Sequence, residues 1–319
     1  MNMDGSPIIS LSTSYLQKKF EGDGYAMLCR AAELGFEYVE LGHSTTNASI
    51  EGIIRAVEEG VVKVSSLHNF CPVPPFATGA APNLFSPATA SKAESEQWLR
   101  HTKNTLEFAG RFGAKAVVCH CGFLSYFFMR PERALEKYVE KHPDANAEND
   151  PVYAKIAEKF KTRSARRAEK KDYICIENNV REIAPTAEKN GVLLGLENRE
   201  APNELPLDWN FEKLVNALKT DTPARTWHDA GHSMRKQLLG LGAQLDLLER
   251  TSDSLIGWHL HDCTDAGKDH IAIGAGCIDF AALAKFFDPQ KHIFTLELNR
   301  AVRPRDAADS LKRVQDMMP

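Results

Sequence analysis

GVLLGLENRE, residues 191–200, runs from Gly, Val and Leu straight into Glu197, Asn198 and Arg199. An apolar run of this length, bounded by a glycine and a polar cluster, reads as a strand buried on both faces. Its carboxyl end carries a carboxylate, and parallel α/β folds keep their chemistry at the carboxyl ends of their strands. The same pattern recurs along the chain, each time with an ionisable, metal-capable side chain at the tip.

Working outward, PIISLSTSYL (7–16), FEYVELG (36–42), VVKVSSLH (61–68) and AKAVVCHCG (114–122) read as strands one to four. Helical spacing falls between them, over 22–35, 48–59 and roughly 88–112, with Gly35 and Gly60 as C-caps. The loop NFCPVPPFATGAAPNLFS after strand three is long enough to form a lid or one wall of a site. Residues 123–190 exceed one crossover helix, and HPDANAENDP (142–151) breaks them, so an inserted helix pair is expected after strand four. The basic run KFKTRSARRAEKK (159–171) reads as a solvated helix face, since acidic residues flank it. Downstream, TPARTWHDAGHS (222–233), LIGWHLHD (255–262) and HIFTLELNR (292–300) supply strands six to eight, with helices at about 209–219, up to 250, from Asp279 and from near Pro304. Strands alternating with helices imply a parallel sheet, and eight of them a closed barrel: an α/β fold, one (β/α)8 TIM barrel domain over residues 1–319.

Composition fits that fold. The 319 residues are 43% hydrophobic and 26% charged, an ordinary globular balance. A net charge of −4 gives no reason to expect a nucleic-acid partner. No apolar run reaches membrane-spanning length and the start lacks a signal-peptide pattern, so a cytoplasmic protein without membrane contact is expected. Seven cysteines without a CxxC pair read as reduced thiols.

Side chains alternate faces along a strand, so parity decides what points inward. Glu197 shares a face with Gly195, His259 and His261 with Gly257, and Glu297 with Thr295, while the large apolar residues take the opposite face. The same rule turns Asp229 inward and His228 outward. Glu197, Asp229, His259 and Glu297 therefore converge at the barrel mouth. Singly, each would read as a salt bridge or a satisfied core hydrogen bond. Together, three carboxylates would repel and raise one another's pKa, a conflict that a divalent cation resolves. The oxygen-rich set with one imidazole suits Mn²⁺ first, with Mg²⁺, Co²⁺ and Zn²⁺ as alternatives. His232 lies three residues past Asp229, His68 and His120 end strands three and four, and His270 lies in the loop before GAG, so each is placed to touch substrate or to orient a ligand at least as well as to ligate directly. Cys119 and Cys121 have the wrong parity for ligands and read as small buried residues; His43, His101, His142 and His292 read as structural or exposed.

LGLENRE, WHDAGH, HLHD, DHIAIGAGCIDF and LELN stand in an order and spacing that resemble the xylose isomerase-like TIM barrel superfamily, in particular its sugar phosphate isomerase/epimerase branch. The resemblance implies that Glu197, Asp229, His259 and Glu297 bind the catalytic metal, that the two glutamates act as acid and base, and that His232 and Arg300 or Arg199 touch substrate. The implied reaction is isomerisation or epimerisation of a small carbohydrate or polyol, through proton abstraction next to a carbonyl and a metal-stabilised enediolate. Phe70, Phe76 or Phe85 would stack on the sugar. The alternatives are a dehydratase or lyase on a keto-sugar, inosose or keto-glycoside, a phosphodiesterase like the metal-dependent AP endonucleases, and a non-catalytic sugar-binding barrel. The AP endonuclease branch matches at His68, His120, His232 and His270, but Lys268 stands where that branch has an aspartate for its third metal. A second metal on His68, His120 and Glu197, and a homo-oligomer, are left open.

Overall fold

The structure, a computed structural model, describes residues 5–77, 80–124, 132–142, 145 and 149–319. Eight parallel strands close into a barrel in sequence order: β1 (Ile8–Ser12), β2 (Tyr38–Leu41), β3 (Lys63–His68), β4 (Ala116–Cys119), β5 (Leu193–Glu197), β6 (Ala224–Asp229), β7 (Leu255–Leu260) and β8 (Ile293–Leu296). Each strand is shorter than its apolar run suggests, because the residues past each tip leave the ladder to form the rim of the mouth.

Helices α1 (Gly24–Glu33), α2 (Ile50–Glu58) and α3 (Lys92–Phe112) follow the first three strands. The third begins at Lys92 rather than 88, because Ser91 caps it and its hydroxyl accepts the Glu94 N–H. Between β4 and β5 lie α4 (Glu132–Lys141), α5 (Pro151–Arg167) and α6 (Tyr173–Lys189), with α5 entering α6 through a π-helical turn at Ala168–Asp172. Leu135, Tyr153, Ala157 and Phe160 of this insertion build a small core with Leu241. The break expected at 142–151 falls partly outside the described residues. Then come α7 (Phe211–Leu218), α8 (Ala230–Leu238), α9 (Gln244–Thr251), α10 (Phe280–Leu283) and α11 (Pro304–Asp316).

Two apolar layers separate along the predicted parity. Leu194, Leu196, Trp258, Leu260, Phe294 and Leu296 face the helices. Inside the barrel, Trp227 packs with Ile8, Tyr38, Ala116, Val118 and Ile293 to make a solid floor beneath the mouth. That indole relies on the glycine at position 257, where a Cβ would run into the Trp227 ring, and a Cβ at position 195 would press on it at 3.0 Å. All seven cysteines are free, and no helix of the described residues is long and apolar enough to cross a membrane.

Candidate metal centre

Glu197 and Asp229 are the last residues of β5 and β6, His259 stands one residue before the end of β7, and Glu297 follows β8 directly. Adjacent ladders align Asp229 with His259 and His259 with Thr295, so the four tips meet at one level above the Trp227 floor. One ligand atom from each lies within 4.8 Å of the others. His259 Nδ1 is the hub, 3.0 Å from Glu197 Oε1, 3.1 Å from Glu297 Oε2 and 3.7 Å from Asp229 Oδ2. Burial opposes a charge on this ring, but Glu297, Glu40 and the hydrogen bond to Glu197 outweigh it and raise its pKa well above the usual imidazole value.

The opposite ring nitrogen, Nε2, lies 3.2 Å from Glu40 Oε1, and Glu40 Oε2 accepts the Ser66 hydroxyl at 2.8 Å. Glu40 fixes the ring orientation by accepting the hydrogen bond from Nε2–H, which leaves Nδ1 toward the carboxylates as a metal-binding imidazole requires. This buried carboxylate was absent from the sequence candidates. Parity on FEYVELG would have found it: Glu40 is the charged residue between Val39 and Leu41, on the inward face with Tyr38.

A second close group is His68, His120 and Glu197. His120 Nδ1 sits 2.8 Å from Asn83 Oδ1 and His68 Nδ1 3.1 Å from the Asn69 carbonyl, so each ring presents Nε2 to Glu197 Oε2, at 3.0 and 3.6 Å. Arg199 also reaches that oxygen, at 2.9 Å, and lies 3.4 Å from His232 Nδ1. The two oxygens of Glu197 thus divide, one toward His259 and one toward Arg199 and His120. Burial pushes the Glu197 carboxyl up, but Arg199 and the His120, His259 and His68 rings outweigh it and hold it well below the usual carboxylate range. Burial and then Arg199 press both His120 and His232 well below theirs.

A third group joins Asp229, His232, His261 and His270. Asp229 caps α8 by accepting the His232 N–H at 2.7 Å. His261 Nε2 lies 3.0 Å from Asp229 Oδ1, and its Nδ1 accepts the His270 N–H at 2.8 Å, so the ring is committed to positioning the aspartate. His261 can come this close because residue 231 in WHDAGH is glycine; any Cβ there would strike its ring. His270 pairs with Asp269 at 3.1 Å and lies 3.9 Å from Glu297. Burial disfavours its charge, yet the Asp269 hydrogen bond, Glu297 and Asp229 raise its pKa to about 9. The loop therefore offers the carboxylate of Asp269 directly after Lys268, and that carboxylate forms a further close group with Glu200 and His232.

A cleft of about 170 Å³ opens above these groups, with Glu297, Arg199, His68, His120, His232 and His270 in its wall. His43, which reads from the sequence as structural or exposed, lines it too, its ring 4.7 Å from that of His68. It lies past the end of β2, where alternation no longer fixes direction. Arg300 is exposed and stands apart, in a neighbouring cavity. Phe70, Phe76 and Phe85 cluster with His101 instead of lining the cleft, and the Phe85 ring stacks on His101 at 5.5 Å. The long loop contributes Pro82 to the wall.

The donor set fits a divalent cation. Glu197, Asp229 and Glu297 are buried together, Glu40 lies across the His259 ring from them, and the cations that meet these four carboxylates are Arg199, the His259 ring and, 3.9 Å from Glu297, the His270 ring that Asp269 already engages. At an effective dielectric of about 20, like charges 4 Å apart repel by about 4 kcal/mol, and several such pairs remain unbalanced here. A divalent ion among the four tips removes that imbalance.

The family model of the xylose isomerase-like TIM barrel matches residues 28–317. No curated protein matches the sequence. Among solved structures, a putative xylose isomerase from Rhodospirillum rubrum is 19% identical with a TM-score of 0.67, covering 98% of this chain and 100% of its own. The 3-keto-D-glucoside 4-epimerase of E. coli is 14% identical with a TM-score of 0.65, covering 97% and 99%. An IolI protein with a bound zinc atom is 14% identical with a TM-score of 0.59, covering 97% of each chain. At such identities these structures share the fold.

Proposed function

The chain belongs to the xylose isomerase-like TIM barrel family, and we propose that it is a divalent-metal-dependent sugar isomerase or epimerase that moves a proton next to a carbonyl. The observation that carries this reading is the meeting of Glu197, Asp229, His259 and Glu297 around one point at the barrel mouth. These four would hold the cation, Mn²⁺ foremost. When bound, the cation supplies Lewis acidity to the carbonyl and adjacent hydroxyl oxygens of the substrate.

Glu297 lines the cleft, and in our reading it takes the proton from the carbon beside the carbonyl. Glu197, held as a carboxylate by Arg199 and His120, is the second proton carrier in our reading: return of the proton by Glu297 gives the isomer, and protonation of the opposite face through Glu197 gives the epimer. Arg199, His232 and His270 lie where they would donate to substrate oxygens. The epimerase and IolI structures of the same fold are consistent with this assignment. Loss of a substituent from the next carbon after the same proton abstraction would make the enzyme a lyase; the donor that favours this second reading is His270, held against Asp269 at the cleft.

Incubation with Mn²⁺ and a panel of ketoses and keto-glycosides in D₂O tests the proposal. Deuterium enters the carbon beside the carbonyl, a chelator stops it, and product analysis separates an epimer from an unsaturated lyase product. A metal-loaded protein that exchanges none of the panel refutes the reading.

A further inference from the structure

Around the four tips, three more close groups of ligand-type side chains occur among the described residues, and the proposed reaction places a metal at none of them. Two of the three already hold a guanidinium. At His68, His120 and Glu197, Arg199 Nη1 lies 2.9 Å from Glu197 Oε2, the oxygen that both imidazoles face. At Glu200, His232 and Asp269, Arg235 Nη1 lies 2.6 Å from Glu200 Oε2 and 3.1 Å from Asp269 Oδ2. The third group shares Asp229 with the four tips, and His261 already engages that carboxylate.

We propose that Arg199 is a built-in cation that takes the place of a second divalent ion, so that the centre of the proposed reaction, on which this inference rests, works with one metal. The corner it fills has the form of a metal site. His68 Nδ1 faces the Asn69 carbonyl at 3.1 Å, and His120 Nδ1 faces Asn83 Oδ1 at 2.8 Å. Those oxygens only accept, so each Nδ1 carries the proton and each neutral ring turns the lone pair of Nε2 toward Glu197 Oε2. The two separations, 3.6 and 3.0 Å, bracket the spacing of about 3.3 Å between ligand atoms around a tetrahedral ion with bonds of about 2.0–2.1 Å. Two lone pairs and a carboxylate repel one another, so the corner demands positive charge.

Arg199 meets that demand from within the chain. It is 7% exposed, and its Nε lies 3.5 Å from Glu204 Oε1, so the guanidinium is held between two buried carboxylates. A divalent ion on Glu197 Oε2 would stand against this fixed positive charge in a place that water does not screen. To displace the guanidinium it would have to break a buried ion pair and leave a charge uncompensated. A cation at the four tips meets neither obstacle, because Glu197 turns its other oxygen, Oε1, toward His259 there. One metal beside a fixed guanidinium also differs from a two-metal clamp, in which ions about 3.5–4 Å apart hold the attacking and leaving oxygens of a displacement.

Titration of the metal-free protein with Mn²⁺, with electron paramagnetic resonance of the loaded forms, counts the ions. The parent is expected to take one equivalent and to give the spectrum of isolated Mn²⁺. Arg199→Ala, shown folded by circular dichroism, is expected to take two and to show the spin coupling of ions bridged by Glu197. Adding His68→Gln to that variant is expected to return the count to one. His68→Gln in the parent background is expected to leave the count at one, and this arm decides even where Arg199→Ala does not fold. A parent that takes two coupled ions overturns the proposal and leaves the proposed reaction standing. So does a folded Arg199→Ala that takes one, a double variant that still takes two, or a parent-background His68→Gln that loses its ion. A parent that takes no ion removes the proposed reaction, and the role of Arg199 with it.

Discussion

His228 and His259 lie on neighbouring strands, both fully enclosed, yet they are held in opposite ways. His228 faces the helix layer, where Gln244 Nε2 donates to its Nε2 at 3.1 Å and the Trp258 ring packs on it at 4.9 Å. Nearby, His292 Nδ1 accepts from Trp258 Nε1 and from the Asp288 N–H. Burial lowers the pKa to about 3 for His228 and, against the pull of Asp288, to about 4 for His292. The groups that hydrogen-bond these two rings are neutral, and the charges of Asp229 and Asp288 nearby do not outweigh burial. His259 faces inward, with four carboxylates around it and a pKa driven well up. Burial is equal on the two faces, so burial is not what marks a functional histidine. What marks it is an excess of charge that the protein leaves unbalanced.

The sharpest way to break this contrast is to neutralise the inner carboxylates. Glu297→Gln and Glu197→Gln should each lower solvent-deuterium exchange by about 10²–10⁴-fold, the usual contribution of a positioned acid or base. His228→Gln, on the outer face, should stay within about threefold of the parent. Exchange retained in both glutamine variants removes these two residues from the chemistry.

Glu40 comes next. If it fixes the imidazole, Glu40→Gln should weaken Mn²⁺ binding by about 10–100-fold. Unaltered affinity in a titration would mean that the ring is held by other contacts.

The floor beneath the centre supplies a stability test. Gly257→Ala places a methyl group against the Trp227 ring and should cost about 1–3 kcal/mol in urea unfolding. A neutral substitution would show that the indole is not packed across the barrel as described.

The smallest effect separates the two histidines by pH. The folded pKa of His228, about 3, lies below its unfolded value of about 6.5. Between these the unfolded chain binds the extra proton. The parent therefore keeps its full stability above about pH 6.5 and loses it as the pH falls toward 3. From pH 7 to 5 this one group should cost up to about 2 kcal/mol relative to His228→Gln, measured by parallel denaturant unfolding. Parallel stability profiles for the two proteins would contradict a buried, neutral His228.

The barrel and its four tips were legible in the sequence because both depend on periodicity. A strand end such as LGLENRE announces its parity, and parity placed Glu197, His259 and Glu297 on one side and Trp258 and Leu296 on the other. Residues past the strand ends were harder to read. His43 and Arg300 leave the ladder, so alternation says nothing of their direction, and only the folded loops reveal that one lines the cleft and the other a neighbouring cavity. The aromatic residues of the long loop were legible as apolar but not as a cluster, because their packing on His101 depends on a helix later in the chain. His261 shared the inward face with His259, yet its bond to Asp229 needs the close approach that Gly231 permits, a tertiary fact that spacing does not carry.

Titration of the metal-free protein with Mn²⁺, followed by calorimetry, tests the central claim most directly. The account predicts one tight equivalent per chain, abolished by Asp229→Ala and by His259→Ala. A chain that takes up no Mn²⁺, or that binds it equally well in both variants, contradicts it.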